Sequence, residues 1–118
     1  MKTFYSICIY LLVALGTGHT LLTPVFYPGF SADTLWFAGT GLSLVFLGLL
    51  NIGAERSPEQ TLRAICITAN LIGTAFIALV TIAVPELQAF LAVLVVLGTT
   101  LGSIAVLSSD QQGQIEEA

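Results

Sequence analysis

Four apolar segments of about 19 to 23 residues take up most of this 118-residue chain and restrict how it can fold. They extend over residues 4–22, 35–53, 62–84 and 87–107, and no Asp, Glu or Lys interrupts them. Because a helix rises about 1.5 Å per residue, each segment is long enough to cross a hydrocarbon core of about 30 Å. A β-barrel would require shorter segments of alternating hydrophobicity. The pattern predicts an all-α integral membrane protein, an antiparallel bundle of four transmembrane helices.

The overall composition supports this fold class. Hydrophobic residues make up 56% of the sequence and charged residues only 8%, whereas soluble domains carry about 25% charged residues. A soluble domain of this length buries too small a fraction of its chain to cover so much apolar surface. We therefore expect a lipid bilayer around the helices. The net charge of −4 and the three basic residues exclude nucleic acid as a partner, because phosphates require a basic surface.

Capping residues mark two of the predicted helix starts. Ser31 or Asp33 is expected to cap the second helix, since short polar side chains accept hydrogen bonds from free backbone N–H groups. The segment Ser57-Pro58-Glu59-Gln60 has a capping-box pattern. It predicts Ser57 as the N-cap of the third helix and Pro58 at its first position.

The fourth segment is bounded by two different kinds of sequence. Pro85 and Glu86 precede it and predict a helix start, because proline is tolerated in the first turn. From Ser108 onward the chain becomes polar and acidic. We expect residues 108–118 to form a disordered tail.

The basic residues predict the orientation of the chain. If the N-terminus is cytoplasmic, Lys2, Arg56 and Arg63 all lie on the cytoplasmic side, while the connections on the other side carry no Lys or Arg. Such an imbalance favours both termini inside. The prediction is a multi-pass protein of the cell membrane, which in a bacterium is the inner membrane.

A second interpretation of the first segment stays open. Lys2, the apolar residues 7–15 and the small residues Gly16, Thr17 and Gly18 are also typical of a secretory signal peptide. Cleavage after Gly18 would leave three spans.

Small residues four or seven positions apart predict where the helices pack. Lipid provides no hydrophobic drive for helix association, so close backbone contact has to replace it. We interpret these pairs as contact faces within one bundle, in preference to a dimerisation motif. They are Ala14 and Gly18, Gly39 and Ser43, Gly41 and Gly48, Ala69 and Gly73, and Gly98 and Gly102.

Polar side chains form a face on each of the first three helices at helical spacing. We expect these faces to point into the bundle, because a polar group in lipid lacks partners. In particular, Asn70 is predicted to bond to the second helix. The faces consist of Cys8, Leu12, Gly16 and His19, of Thr40, Ser43 and Asn51, and of Arg63, Cys66, Asn70, Gly73 and Thr81.

A second polar group is predicted at the end of the first helix. His19 lies there, and Tyr27, Asp33 and Trp36 flank the connection that follows. A carboxylate beside a histidine can orient its ring, so a His19–Asp33 pair is one interpretation. The other is an interfacial histidine bonded to the loop, with the aromatic residues as membrane-interface anchors.

The sequence gives little support to metal or cofactor chemistry. Cys8 and Cys66 are the only cysteines and do not form a Cys-x-x-Cys pair, so zinc-ribbon and thioredoxin-like motifs are excluded. We expect free thiols in apolar surroundings. The single histidine has no second strong ligand near it in the sequence, and we expect neither a metal nor a cofactor.

These features favour a non-catalytic membrane protein that binds a lipid-like molecule or associates with itself or another membrane protein. One alternative is a small dimeric transporter or channel lined by polar residues of the second and third helices. The span count is similar to that of small multidrug transporters, but the first helix lacks the acidic residue on which those depend. The other alternative is a membrane enzyme that acts at the outer face through His19 and Asp33.

Overall fold

Each of the four apolar segments folds into a long helix. The structure is a computed structural model that describes residues 1–118, apart from the side chain of Gln111. Every predicted boundary lies within three residues of the observed one, except the end of the last helix. Each long helix is long and apolar enough to cross a membrane. The helices are α1 (Lys2–Leu21), the single-turn α2 (Thr23–Phe26), α3 (Ala32–Arg56), α4 (Gln60–Ala83) and α5 (Leu87–Glu117).

The long helices pack together as a bundle in which α1 has the central position. It contacts α3 along most of its length and also packs on α5, which in turn packs on α4. Ser6, near the start of α1, bonds to Glu55 near the end of α3. We call this end of the bundle the terminal end. The opposite end, which contains the connection from α1 to α3 and the turn at residues 84–86, is the loop end.

Facing glycines allow α1 and α3 to approach each other closely. A Cβ atom at Gly16 would lie 2.6 Å from the carbonyl oxygen of Gly41, and a Cβ atom at Gly41 would lie 2.8 Å from that of Gly16. Gly48 lies against Val13 in the same interface. The predicted packing role of Gly41 and Gly48 is therefore confirmed, because larger side chains would separate the two helices.

The other predicted small-residue pairs divide into two groups. Gly98 and Gly102 of α5 lie against α1, and Gly73 of α4 lies against α3. In contrast, a Cβ atom at Gly18 or Gly39 would meet no atom within 4 Å. The prediction is wrong for these two glycines, because the contact between α1 and α3 uses the helix faces that carry Gly16 and Gly41.

The cap of α3 is confirmed, whereas the cap of α4 is not. The Ser31 hydroxyl accepts a hydrogen bond from the backbone N–H of Thr34 at 3.2 Å. Ser57 instead follows the last residue of α3, and its hydroxyl accepts from the N–H of Glu59 within the connection. Because α3 continues to Arg56, Ser57 ends one helix and does not start the next. Helix α4 begins at Gln60.

Helix α5 begins at Leu87, as predicted, but continues beyond its predicted end. Glu86 takes the N-cap position and Pro85 lies before it, so the proline is outside the first turn. At the other end α5 continues to Glu117, which corrects the prediction of a disordered tail. Leu107 is fully buried, and Asp110 forms an ion pair with Arg63 of α4 at 3.5 Å. These contacts hold the first turn beyond the apolar segment in helical conformation.

The interior contains two apolar clusters, one in each half of the bundle. The cluster toward the terminal end includes Tyr5, Ile9, Cys66 and Leu107. The cluster toward the loop end includes Leu12, Leu44, Ile77, Ala92 and Val96. Large apolar side chains cover the outward faces of the helices, among them Phe46, Phe76, Leu79, Ile82 and Leu94.

Candidate functional site

A cavity of about 450 Å³ lies at the loop end, between α3 on one side and α4 and α5 on the other, and Leu15 and His19 of α1 also line it. Its walls are mainly apolar and its rim carries polar and aromatic side chains. The apolar lining consists of Leu15, Leu44, Ile77, Val80, Val84, Ala89 and Ala92. The polar and aromatic lining consists of His19, Tyr27, Asp33, Trp36, Phe37, Thr40, Glu86 and Gln88.

The cavity exists because α3 and α4 are in contact over only a short part of their length. A Cβ atom at Gly73 of α4 would lie 3.2 Å from Leu47 of α3, so the two helices meet there. On the loop-end side of this contact, Thr40 of α3 and Val80 of α4 line the same cavity. The space between the two helices is thus closed toward the terminal end.

The aromatic part of the rim is built around Phe37. The His19 ring stacks on it, with 3.8 Å between ring centroids and 20° between the planes. Tyr27 packs on Phe37 as well, at 5.0 Å. Among the described residues the His19 ring forms no ion pair with Asp33. Of the two interpretations, the direct His19–Asp33 pair does not form, because Phe37, one turn further along α3, takes the position beside the histidine.

The polar part of the rim is acidic. Asp33 belongs to the first turn of α3 and Glu86 is the N-cap of α5, and the Gln88 amide donates a hydrogen bond to the Glu86 carboxylate. No Lys or Arg is among the described residues that line the cavity. The three basic residues of the chain, Lys2, Arg56 and Arg63, belong to the terminal end.

The structure brings five of the eight predicted site residues together and separates the other three. His19, Tyr27, Asp33, Trp36 and Thr40 line the cavity. Ser43 is exposed on another face of α3, and its hydroxyl donates to the carbonyl oxygen of Gly39 at 2.8 Å. The inward orientation predicted for Ser43 is wrong. Asn51 and Asn70 lie deeper in the bundle, in a hydrogen-bond network.

This network is centred on a reciprocal pair of side-chain amides. Asn51 Nδ2 donates to Asn70 Oδ1 at 2.8 Å, and Asn70 Nδ2 donates back to Asn51 Oδ1 at the same distance. Both residues are fully buried. The prediction that Asn70 faces the interior and bonds to the second long helix is confirmed.

Two hydroxyl groups extend the network to the remaining helices. The Tyr5 hydroxyl of α1 donates to Asn51 Oδ1 at 2.7 Å. Asn70 Nδ2 donates to the Ser103 hydroxyl of α5 at 2.9 Å. All four long helices therefore meet through side-chain hydrogen bonds at one level of the bundle.

The sequence did not predict several residues of the cavity and of the hydrogen-bond network. Glu86 lies in the turn that joins α4 to α5, and Gln88 follows it in the first turn of α5. In a four-span topology this turn lies at the same end of the bundle as the loop after α1. That placement was the available signal for the second carboxylate. Phe37 and Ser103 carried no comparable signal, because an apolar or hydroxyl residue within a span does not indicate its partner.

Comparison with known proteins adds no function to this geometry. No protein-family model, curated protein or solved structure matches the chain. Within the described residues, no three His, Cys, Asp or Glu side chains come together as a metal site would require. Cys8 and Cys66 are free and buried, as expected.

Replacing either amide with leucine should destabilise the bundle, and the two effects should not be additive. Asn51→Leu leaves Asn70 without its partner, and Asn70→Leu does the reverse, so each change should lower the unfolding free energy by about 1–2 kcal/mol. The double variant should lose less than the sum, because neither amide is left unpaired. Unfolding in mixed micelles with increasing dodecyl sulfate, followed by circular dichroism, measures these differences.

Ser43→Leu is the control for this experiment, since it removes a polar side chain that bonds only within its own helix. It should leave the unfolding free energy nearly unchanged. Strictly additive losses in the double variant would contradict the reciprocal pairing.

Proposed function

We propose that this protein is a non-catalytic, multi-pass membrane protein that binds a lipid-like amphiphile in the cavity between α3 and the α4–α5 pair. The observation that carries the proposal is the division of the cavity lining. Apolar side chains such as Leu44 and Val80 form the walls, whereas Asp33 and Glu86 lie on the rim. A largely apolar pocket with a few polar groups on one side suits a molecule with an apolar chain and a polar head.

The outward faces of the helices support a location in a membrane. Leu79 and Leu94 are each 65% exposed, and Phe46 is 64% exposed. Contiguous apolar surface of this extent is unfavourable in water and favourable in lipid. The helix lengths agree with this setting, since a membrane span requires about 20 residues.

The basic residues support the orientation. The hydrogen bond between Ser6 and Glu55 places the start of α1 beside the end of α3, so Lys2 and Arg56 belong to the same end of the bundle. We therefore assign the terminal end to the cytoplasm and the loop end, with the cavity, to the opposite face. In a bacterium this would be the inner membrane.

The two alternative functions receive less support from the geometry. An enzyme acting through His19 and Asp33 requires the two side chains to cooperate, but the His19 ring lies against Phe37. The dimeric transporter or channel requires a path between two chains, because within one chain hydrogen bonds join all four long helices at the level of Asn51 and Asn70. A binding cavity that is closed at its inner end requires neither a cooperating His19–Asp33 pair nor a transport path.

The orientation predicts the accessibility of the loop between α1 and α3. In a variant with Cys8→Ala and Cys66→Ala, a cysteine introduced by Ser31→Cys should react with a membrane-impermeant maleimide added outside intact cells, because Ser31 is exposed at the loop end. Ser57→Cys provides the matched probe at the terminal end and should react only after the membrane is opened. The reverse pattern would contradict the orientation.

Filling the cavity should weaken ligand binding strongly, while the same change on the lipid-facing side should not. Thr40 lines the cavity and Ser43 does not, and the hydroxyl of each bonds only to a carbonyl of its own helix. Thr40→Phe places an aromatic ring in the cavity, whereas Ser43→Phe places one in lipid. We expect Thr40→Phe to lower the affinity for monododecanoyl glycerol, a neutral single-chain amphiphile, at least about tenfold.

Trp36 supplies the measurement, because it is the only tryptophan in the chain and lines the cavity. In phosphatidylcholine liposomes, the fluorescence emission of Trp36 should change with increasing monododecanoyl glycerol and reach saturation in the wild type and in Ser43→Phe. The melting temperature should rise in the same two proteins, since a bound ligand stabilises the folded state. A saturable response of equal strength in Thr40→Phe would exclude this cavity as the binding site.

A further inference from the structure

The charges at the loop end indicate which head group the cavity would accept. Asp33 and Glu86 both line the rim, and within the described chain the one ion pair is that of Arg63 with Asp110 at the terminal end. The bundle is 57 Å long, several times the distance over which salt screens a charge. The rim carboxylates are therefore not neutralised by the basic residues of this chain.

The aromatic residues of the rim, like the two carboxylates, favour a positively charged head group. Trp36 is 76% exposed and Tyr27 is 38% exposed, and both line the cavity. The face of an aromatic ring attracts a cation, and indole does so most strongly. Aromatic rings beside carboxylates are the combination that suits an ammonium group, since the rings also cover its methyl or methylene groups.

From this combination we propose that the cavity selects a single-chain amphiphile with a cationic ammonium head. The inference rests on the proposed function and specifies its ligand. The ammonium group would lie between Asp33 and Glu86 with Trp36 beside it, and the alkyl chain would extend toward Leu44 and Ile77. An anionic head would meet two carboxylates of its own sign at the same position.

The size of the cavity favours one chain over two. Pockets that enclose small molecules have volumes of about 300–1,000 Å³, and this cavity, at about 450 Å³, is in the lower half of that range. The close contact of Gly73 with Leu47 ends it toward the terminal end. A long-chain amine or quaternary ammonium therefore suits the space better than a lipid with two acyl chains.

Three probes with the same chain length test the selection. Dodecyltrimethylammonium, monododecanoyl glycerol and dodecyl phosphate carry a positive, a neutral and a negative head. Their affinities are measured from Trp36 emission in phosphatidylcholine liposomes and expressed per mole fraction of probe in the bilayer. We expect the cationic probe to bind about tenfold more tightly than the anionic one, with the neutral probe between them.

Two variants locate the effect at the rim. Asp33→Asn and Glu86→Gln should each weaken binding of the cationic probe about two- to fivefold, which is the range for single exposed charge pairs, and leave the neutral probe unchanged. Glu59→Gln is the matched control, because it removes the same charge from the terminal end. It should change the affinity of none of the three probes.

The outcomes separate this inference from the proposed function. If none of the probes gives a saturable response, both fail. If the neutral probe binds as tightly as the cationic one, or the anionic probe binds more tightly, the cavity binds amphiphiles but does not select a cation. An equal loss of cationic-probe affinity in Glu59→Gln would show that net charge is responsible, and it would overturn the role of Asp33 and Glu86.

Discussion

The reciprocal amide pair of Asn51 and Asn70 is the interaction on which the arrangement of the bundle depends. Helices surrounded by lipid, as we propose here, gain little from apolar contact alone, so hydrogen bonds and close packing decide how they associate. The pair joins α3 to α4, two helices that otherwise contact each other only over a short length. Hydrogen bonds from the pair to Tyr5 and Ser103 also connect it to α1 and α5. An amide without these partners would be strongly unfavourable in an apolar interior.

The cavity follows from where these contacts lie. Gly16 and Gly41 hold α1 against α3 toward the loop end, while the amide pair holds α3 against α4 nearer the terminal end. Helix α3 therefore remains with α1 at the loop end and leaves a space toward α4 and α5. The first turn of α3 and the turn after α4 both reach the rim of this space, and each contributes one carboxylate.

The sequence predicted the fold more completely than the site. Segment length and the lack of charge predicted four helices, with every boundary but the end of α5 within three residues, because both properties are local. The inward orientation of Asn70 also followed from a local rule, since a buried amide requires a partner. Which partner it finds depends on the register between helices, and helical spacing does not specify that register. For the same reason the helix faces predicted for Gly18 and Ser43 are wrong, and the sequence does not identify Phe37 as the neighbour of His19.

Site-specific photolabelling tests the central claim, that an amphiphile occupies the space between α3 and α4, most directly. The protein in liposomes is irradiated with a monoacylglycerol that carries a diazirine in its chain, and the labelled residues are identified by mass spectrometry. We expect saturable labelling of residues that line the cavity, such as Leu44 and Val80, and its suppression by excess monododecanoyl glycerol. Labelling confined to outward-facing residues such as Leu79 and Leu94, without suppression by the competitor, would contradict the account.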